Sequence, residues 1–298
     1  MAYIYSQEIN HLAEAIYNLK SPENYFKDYV LPIITLFLGS FISAGLAYFI
    51  ARRTNDKAES IKMELRKVSA INYYCLQADF CLQKLYGIKE MYHGRLKANS
   101  FQRLLEMPPI IGDYSQSRTI EVTELVFLIK QTEKDTSRWN QISYINMIFK
   151  NFDSVVGWIE ERNALRVELS NCYLETEKSQ KIKTVEGTID TALDALGREK
   201  LTKLIQLTEK IILMIDDLIL YFDDFVKEFP EIAKEKINTS ILNGMGIIIE
   251  PAETVENEYR ELMKVRSPKM AYNLFAQLAG LELEYAQEMF RSNYNPSL

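Results

Sequence analysis

The chain has 298 residues, with 41 acidic against 35 basic side chains and a formal charge of −6. Acid and base interleave along nearly the whole length, without the concentrated basic face that phosphate neutralisation needs, so no nucleic-acid partner is expected. The three cysteines, Cys75, Cys81 and Cys172, lack the paired spacings of a zinc site or a disulfide framework and read as reduced, partly buried thiols. Only 11 Gly and 8 Pro interrupt a sequence rich in Leu, Ile, Glu and Lys, so the fold class is all-α, with long helices and few turns.

Residues 1-28 form a short tail. Ile9, Leu12, Ile16 and Leu19 recur three or four apart and mark the apolar side of a short helix that should end near Ser21-Pro22. Tyr3, Tyr5, Tyr17 and Tyr25 suit a bilayer border, so this amphipathic tail is expected on the extracytoplasmic membrane surface.

Residues 29-51, YVLPIITLFLGSFISAGLAYFIA, carry no charge. As a helix they would be about 34 Å long, against about 30 Å for a bilayer's hydrocarbon core. Pro32, Thr35, Gly39, Ser40, Ser43 and Gly45 dilute the apolarity and give some weight to a buried soluble helix, yet such helices seldom run so far uncharged. A cleaved signal peptide would place a basic lead before a shorter apolar core, whereas here Lys20 and Lys27 stand among Glu8, Glu14, Glu23 and Asp28. The reading is a single-pass transmembrane helix in the cell membrane. Arg52, Arg53, Lys57 and Lys62 follow it directly, with Arg66 and Lys67 beyond, which predicts an outer N-terminus and a cytoplasmic domain over 52-298. Within the span, Gly39, Ser43, Ala47 and Ala51 lie four apart on one stripe, beside Ser40 and Ala44. Small residues in this pattern form a packing face in lipid, and a homo-oligomer is expected.

The cytoplasmic domain should be all-α, with long helices about 52-97, 119-131, 136-178, 182-229, 252-265 and 268-290. The first continues the span, since no Gly or Pro occurs between Ala51 and Gly87. Its apolar series Ile61, Leu65, Val68, Ile71, Cys75, Ala78, Leu82, Leu85, Ile88 and Tyr92 has the spacing, about 3.5, of a coiled-coil seam. Pro108-Pro109, then Gly112-Asp113, should turn the chain. Asp135-Thr136-Ser137 supplies N-cap residues for a helix whose face is Ile142, Ile145, Ile148, Phe152, Val155 and Ile159. The next long helix carries Ile189, Leu204, Ile211, Ile215, Leu218, Phe222 and Phe225 before Pro230, which should stop it. Asp216 and Asp217 exclude a second crossing there. NGMGIIIEP, from Asn243 to Pro251, is the least helical stretch and reads as a loop with a brief extended segment. Ser267-Pro268 should cap and open the last helix.

Chemistry is hard to assemble from this sequence. Only two histidines exist, His11 and His93, and neither a phosphate-binding glycine loop nor a nucleophile elbow occurs. Asp216, Asp217, Asp223 and Asp224 repeat at an interval of seven, an oxygen-rich pattern that suits hard cations. No Glu-x-x-His accompanies them, so they read as a solvated strip facing away from the core, as do Glu282, Glu284 and Glu288. No catalytic, cofactor-binding or metal-binding residue is assigned and no cofactor is expected. The architecture points to a membrane-anchored, oligomerising, non-enzymatic scaffold or sensor that binds a protein partner through its cytoplasmic helices. The alternatives are a membrane-perturbing effector, as in abortive-infection or defence-type toxins, acting by clustering of its span, and an enzyme with an unrecognised carboxylate site. A pore needs a polar stripe, and the span has only Thr35, Ser40 and Ser43, which favours the scaffold.

Overall fold

A computed structural model describes residues 2–19, 26–112, 122–129, 137–180, 188–249 and 257–295. Among them every regular element is helical, and the only bridge is an isolated backbone pairing of Asn99 with Ala271. The chain divides between Met63 and Glu64 into two units.

The first unit holds helix α1 (Ala2–Leu19), a wide π-turn (Phe26–Val30) and the opening part of helix α2 (Leu31–Glu90). The wide turn has a cause in the sequence. Pro32 has no N–H to donate and its ring crowds the carbonyl four residues back, so ordinary α bonding cannot pass through it. The tail helix is present, with Ile9, Leu12 and Ile16 exposed; its expected stop at Ser21-Pro22 lies outside the described residues. From Leu31 to Glu59 every residue is exposed. The hydroxyl of Thr35 donates to Leu31 O and Pro32 O at 3.0 and 2.9 Å, and that of Ser40 to Phe37 O at 2.8 Å. Both polar side chains are therefore satisfied by their own helix.

The second unit begins within α2. It continues through α3 (Ser100–Glu106), 3-10 turns at Val122–Leu128 and Arg138–Asn140, α4 (Ile142–Gln180) and α5 (Ile189–Lys234). Short helices α6 (Thr239–Leu242), α7 (Asn257–Lys264), α8 (Asn273–Ala279) and α9 (Leu283–Glu288) complete it. The three- and four-residue spacings become buried faces: Ile71, Ala78, Leu82 and Leu85 of α2, Ile145, Ile148, Phe152 and Val155 of α4, and Ile211, Ile215, Phe222 and Phe225 of α5 form one core. Aromatic edges interlock there, with Phe149 and Phe222 centroids 5.2 Å apart and Trp139 and Phe225 5.0 Å apart. A second core joins Phe101 and Leu104 of α3, Leu201, Leu204 and Ile205 of α5, Phe275 and Phe290.

Several elements depart from the sequence expectation for identifiable reasons. Helix α5 passes over Pro230 to Lys234, because Phe229, Pro230 and Ala233 extend its buried face and outweigh one lost backbone bond. The segment expected as an α-helix over 119-131 is a 3-10 turn at Val122–Leu128 among its described residues. The single helix expected over 268-290 is two, since Gly280 turns left-handed at φ 68° and Leu281 N closes the end of α8 onto Ala276 O at 2.9 Å. Ser267 does not cap a helix; its N–H donates to Asp216 Oδ2 at 2.7 Å. Ser137 caps the 3-10 turn Arg138–Asn140 rather than the long helix that begins at Ile142, accepting from Trp139 N at 3.2 Å, while Asp135 and Thr136 lie outside the described residues. Of the loop expected from Asn243 to Pro251, Asn243 to Ile249 is irregular with no strand, and Glu250 and Pro251 lie outside the described residues. Asn72 on α2 donates to Ile247 O at 2.7 Å and accepts from Ile249 N at 2.8 Å, so one side chain replaces a strand partner.

Gly197 interrupts α5 at φ 77° and ψ 162°, a backbone conformation that essentially only glycine adopts. An added Cβ would meet nothing within 4 Å. Gly197→Ala is thus expected to lower stability by about 1–3 kcal/mol through backbone strain alone. A chemical denaturation midpoint equal to the parent's would contradict that.

Candidate functional site

The strongest concentration of chemistry lies along α5, and it corrects the expected solvated strip. Asp216, Asp217 and Asp223 are buried, and Asp224 is only partly exposed. Glu209, not singled out from the sequence, extends the same seven-residue interval back from Asp216 and is also buried. A step of seven is nearly two helical turns, so Glu209, Asp216 and Asp223 share one stripe.

Each carboxylate has a cation. Lys89 of α2, fully enclosed, donates to Asp216 Oδ1 at 2.6 Å and to Val265 O at 2.7 Å. Arg103 of α3 meets Glu209 at 2.7 Å, Lys264 meets Asp223 at 2.8 Å, Arg266 meets Asp217 at 2.8 Å and Arg138 meets Asp224 at 2.6 Å. The C-terminal segment adds neutral donors. Ser292 Oγ and Asn293 N donate to Asp217 at 2.6 and 3.0 Å, and Tyr294 Oη donates to Asp224 at 2.7 Å. Burial raises the Glu209 carboxyl above its usual range despite Arg103. Burial alone would push the Lys264 ammonium down, but its contact with Asp223 outweighs that and holds it above its ordinary value.

Chemically, this ladder ties segments together. Its carboxylates already hold ammonium or guanidinium groups, and no group of three or more His, Cys, Asp or Glu placed to hold a metal occurs among the described residues. Glu282, Glu284 and Glu288 are exposed, as expected. Arg162 of α4 is another buried cation, and it serves backbone rather than carboxylate. Its Nη2 donates to Met107 O at 2.6 Å, Nη1 to Pro108 O at 3.1 Å and Nε to Thr208 Oγ1 at 3.0 Å, closing the end of α3. Burial pushes its guanidinium down to about 10, which leaves it charged at neutral pH.

Beside the ladder opens a cleft of about 960 Å³, bounded by α5, the segment from Arg266 to Tyr272, and the segment from Glu284 to Ser292. The residues singled out in the apolar run occupy one exposed stretch of α2. Gly39, Ser43, Ala47 and Ala51 are uncovered, as are Arg52, Arg53, Lys57 and Lys62. A Cβ added at Gly39 would meet nothing within 4 Å.

Burial pushes the Cys75 and Cys81 thiols up to about 12. Neither forms appreciable thiolate at pH 8, so both are expected to resist iodoacetamide in the folded protein and to react only after denaturation. Mass spectrometry that found either alkylated under native conditions would place it outside the core.

Compared with protein-family models, curated proteins and solved structures, the chain matches none.

Proposed function

We propose that the protein is a membrane-anchored, self-associating, non-enzymatic scaffold or sensor. One observation carries the reading: between Leu31 and Ile50, twelve large apolar side chains stand exposed on one helix, uncovered by any of the described residues. Left in water, they would forfeit burial worth on the order of 20 kcal/mol, and a patch of this extent exceeds what soluble monomers tolerate. The stretch has the length to span a bilayer, its backbone is bonded within the helix, and Thr35 and Ser40 turn their hydroxyls onto it.

In this reading α2 crosses the membrane once, with residues 1-28 outside and 52-298 in the cytoplasm, directed by Arg52, Arg53, Lys57 and Lys62. Beyond the span the helix continues into a bundle with coiled-coil-like spacing, which binds a protein partner, and Gly39, Ser43, Ala47 and Ala51 provide the face for self-association. The back-bonded hydroxyls leave little polar surface to line a pore, which favours a scaffold over a membrane-perturbing effector.

Membrane extraction at alkaline pH and cysteine labelling test this reading. In a Cys172→Ser background, Ser6→Cys should label on intact cells and Asn55→Cys only after permeabilisation. Release of the chain into the alkaline supernatant would remove the anchor, and the reverse labelling pattern would invert the topology.

A further inference from the structure

The cleft beside the ladder has a base built from a half-used ion pair. Arg103 and Glu209 both line it, although only 1% and 5% of their surfaces are exposed. The Arg103 guanidinium is held on two sides: Nε donates to Glu209 Oε1 at 2.7 Å, and Nη1 donates to Lys97 O at 3.1 Å and Pro268 O at 2.8 Å. An arginine and a carboxylate commonly close a second, parallel bond. Here Arg103 Nη2 and Glu209 Oε2 make no hydrogen bond among the described residues, and neither is among the buried side-chain atoms sealed from solvent without a partner. One donor and one acceptor of this ion pair therefore remain unused in residues that line the cleft.

The surroundings narrow what could occupy it. The lining has four cationic and four carboxylate side chains, a balance that selects neither polyanions nor polycations. One part of its wall is apolar, formed by Leu213, Tyr272 and Phe290. Tyr272 and Phe290 stack with centroids 6.0 Å apart at 27°, and Leu213 of α5 faces the same space. A cleft of about 960 Å³ lies at the upper end of the range for small-molecule sites.

We propose that this cleft binds an uncharged small molecule through an amide-type edge. The ligand's carbonyl oxygen accepts from Arg103 Nη2, its adjacent N–H donates to Glu209 Oε2, and its apolar or aromatic body rests against Leu213, Tyr272 and Phe290. Carboxamides and lactam-bearing heterocycles have that edge. A carboxylate would set an oxygen against Glu209, and an amidine would set an N–H against Arg103. The inference does not depend on the membrane reading, since every residue it uses lies between Lys97 and Ser292.

Saturation-transfer NMR on the full-length chain in detergent tests it with three probes of one shape: benzamide, benzoate and benzamidine. Benzamide should bind about tenfold more tightly than either charged analogue, because each mismatch leaves a buried polar group unpaired. Leu213→Trp, which fills the cleft wall and keeps both members of the ion pair, should abolish the benzamide signal. Glu209→Gln should shift preference from benzamide towards benzoate. If that variant fails to fold, Leu213→Trp still decides. Equal signals from all three probes, no benzamide signal, or a signal indifferent to Leu213→Trp would overturn the proposal.

Discussion

Lys89→Met is expected to destabilise the helical unit by about 3–5 kcal/mol, the effect of leaving one member of a buried ion pair without the other. The ammonium is fully enclosed, bonds Asp216 at 2.6 Å, and also holds Val265 O. Its removal leaves Asp216 buried with only the Ser267 N–H and hydroxyl as donors. For a unit of this size the melting temperature should fall by roughly 10 °C. The double variant Lys89→Met, Asp216→Leu should recover much of the loss, because apolar replacement of both partners removes the stranded charge. Were Asp216 on a solvated strip, Lys89→Met would stay within about 0.5 kcal/mol of the parent, so thermal and chemical denaturation separate the two descriptions.

Gly39→Leu is expected to weaken self-association by about 1–2 kcal/mol, or roughly tenfold, in detergent or lipid. A Cβ added at Gly39 meets nothing within 4 Å among the described residues, so the monomer's fold should be unchanged, and a shift in oligomer distribution reports contact with another helix. Phe41→Leu, on the opposite side of α2, serves as the control and should leave the distribution alone. Multi-angle light scattering across a dilution series reads both, and an oligomer indifferent to Gly39→Leu would remove the stripe as an interface.

The cores were legible because burial on a helix leaves a local record. Ile71, Leu82, Phe152 and Phe222 sit where three- and four-residue spacing puts them, and the uncharged run from Tyr29 to Ala51 announced a helix with little need of polar company. The ladder was not legible, although its seven-residue interval was visible. In an amphipathic pattern, paired aspartates between Leu218 and Phe225 look like a wet edge; what buries them is chain from Lys264 to Asn295, far away in sequence. Glu209 would have been found by extending the interval one step back from Asp216. Its partner Arg103 would not, since nothing local to either residue records the meeting. The break at Gly280 failed for a simpler reason: one glycine weakens a helix, and only the cap geometry decides whether it ends one.

The order of charges along α5 also restricts how the C-terminal segment can lie. In the observed frame, Lys264, Arg266 and Ser267 meet Asp223, Asp217 and Asp216. A slip of one heptad towards the start of α5 would bring Lys264 to Asp216, already occupied by Lys89, and Arg266 to Lys210, a like charge. A slip the other way would bring Arg266 to Asp224, already taken by Arg138. An apolar seam with the same repeat would accept either shift with little penalty. The charges make the alignment self-checking: one frame closes every pair, and its neighbours strand a buried ion.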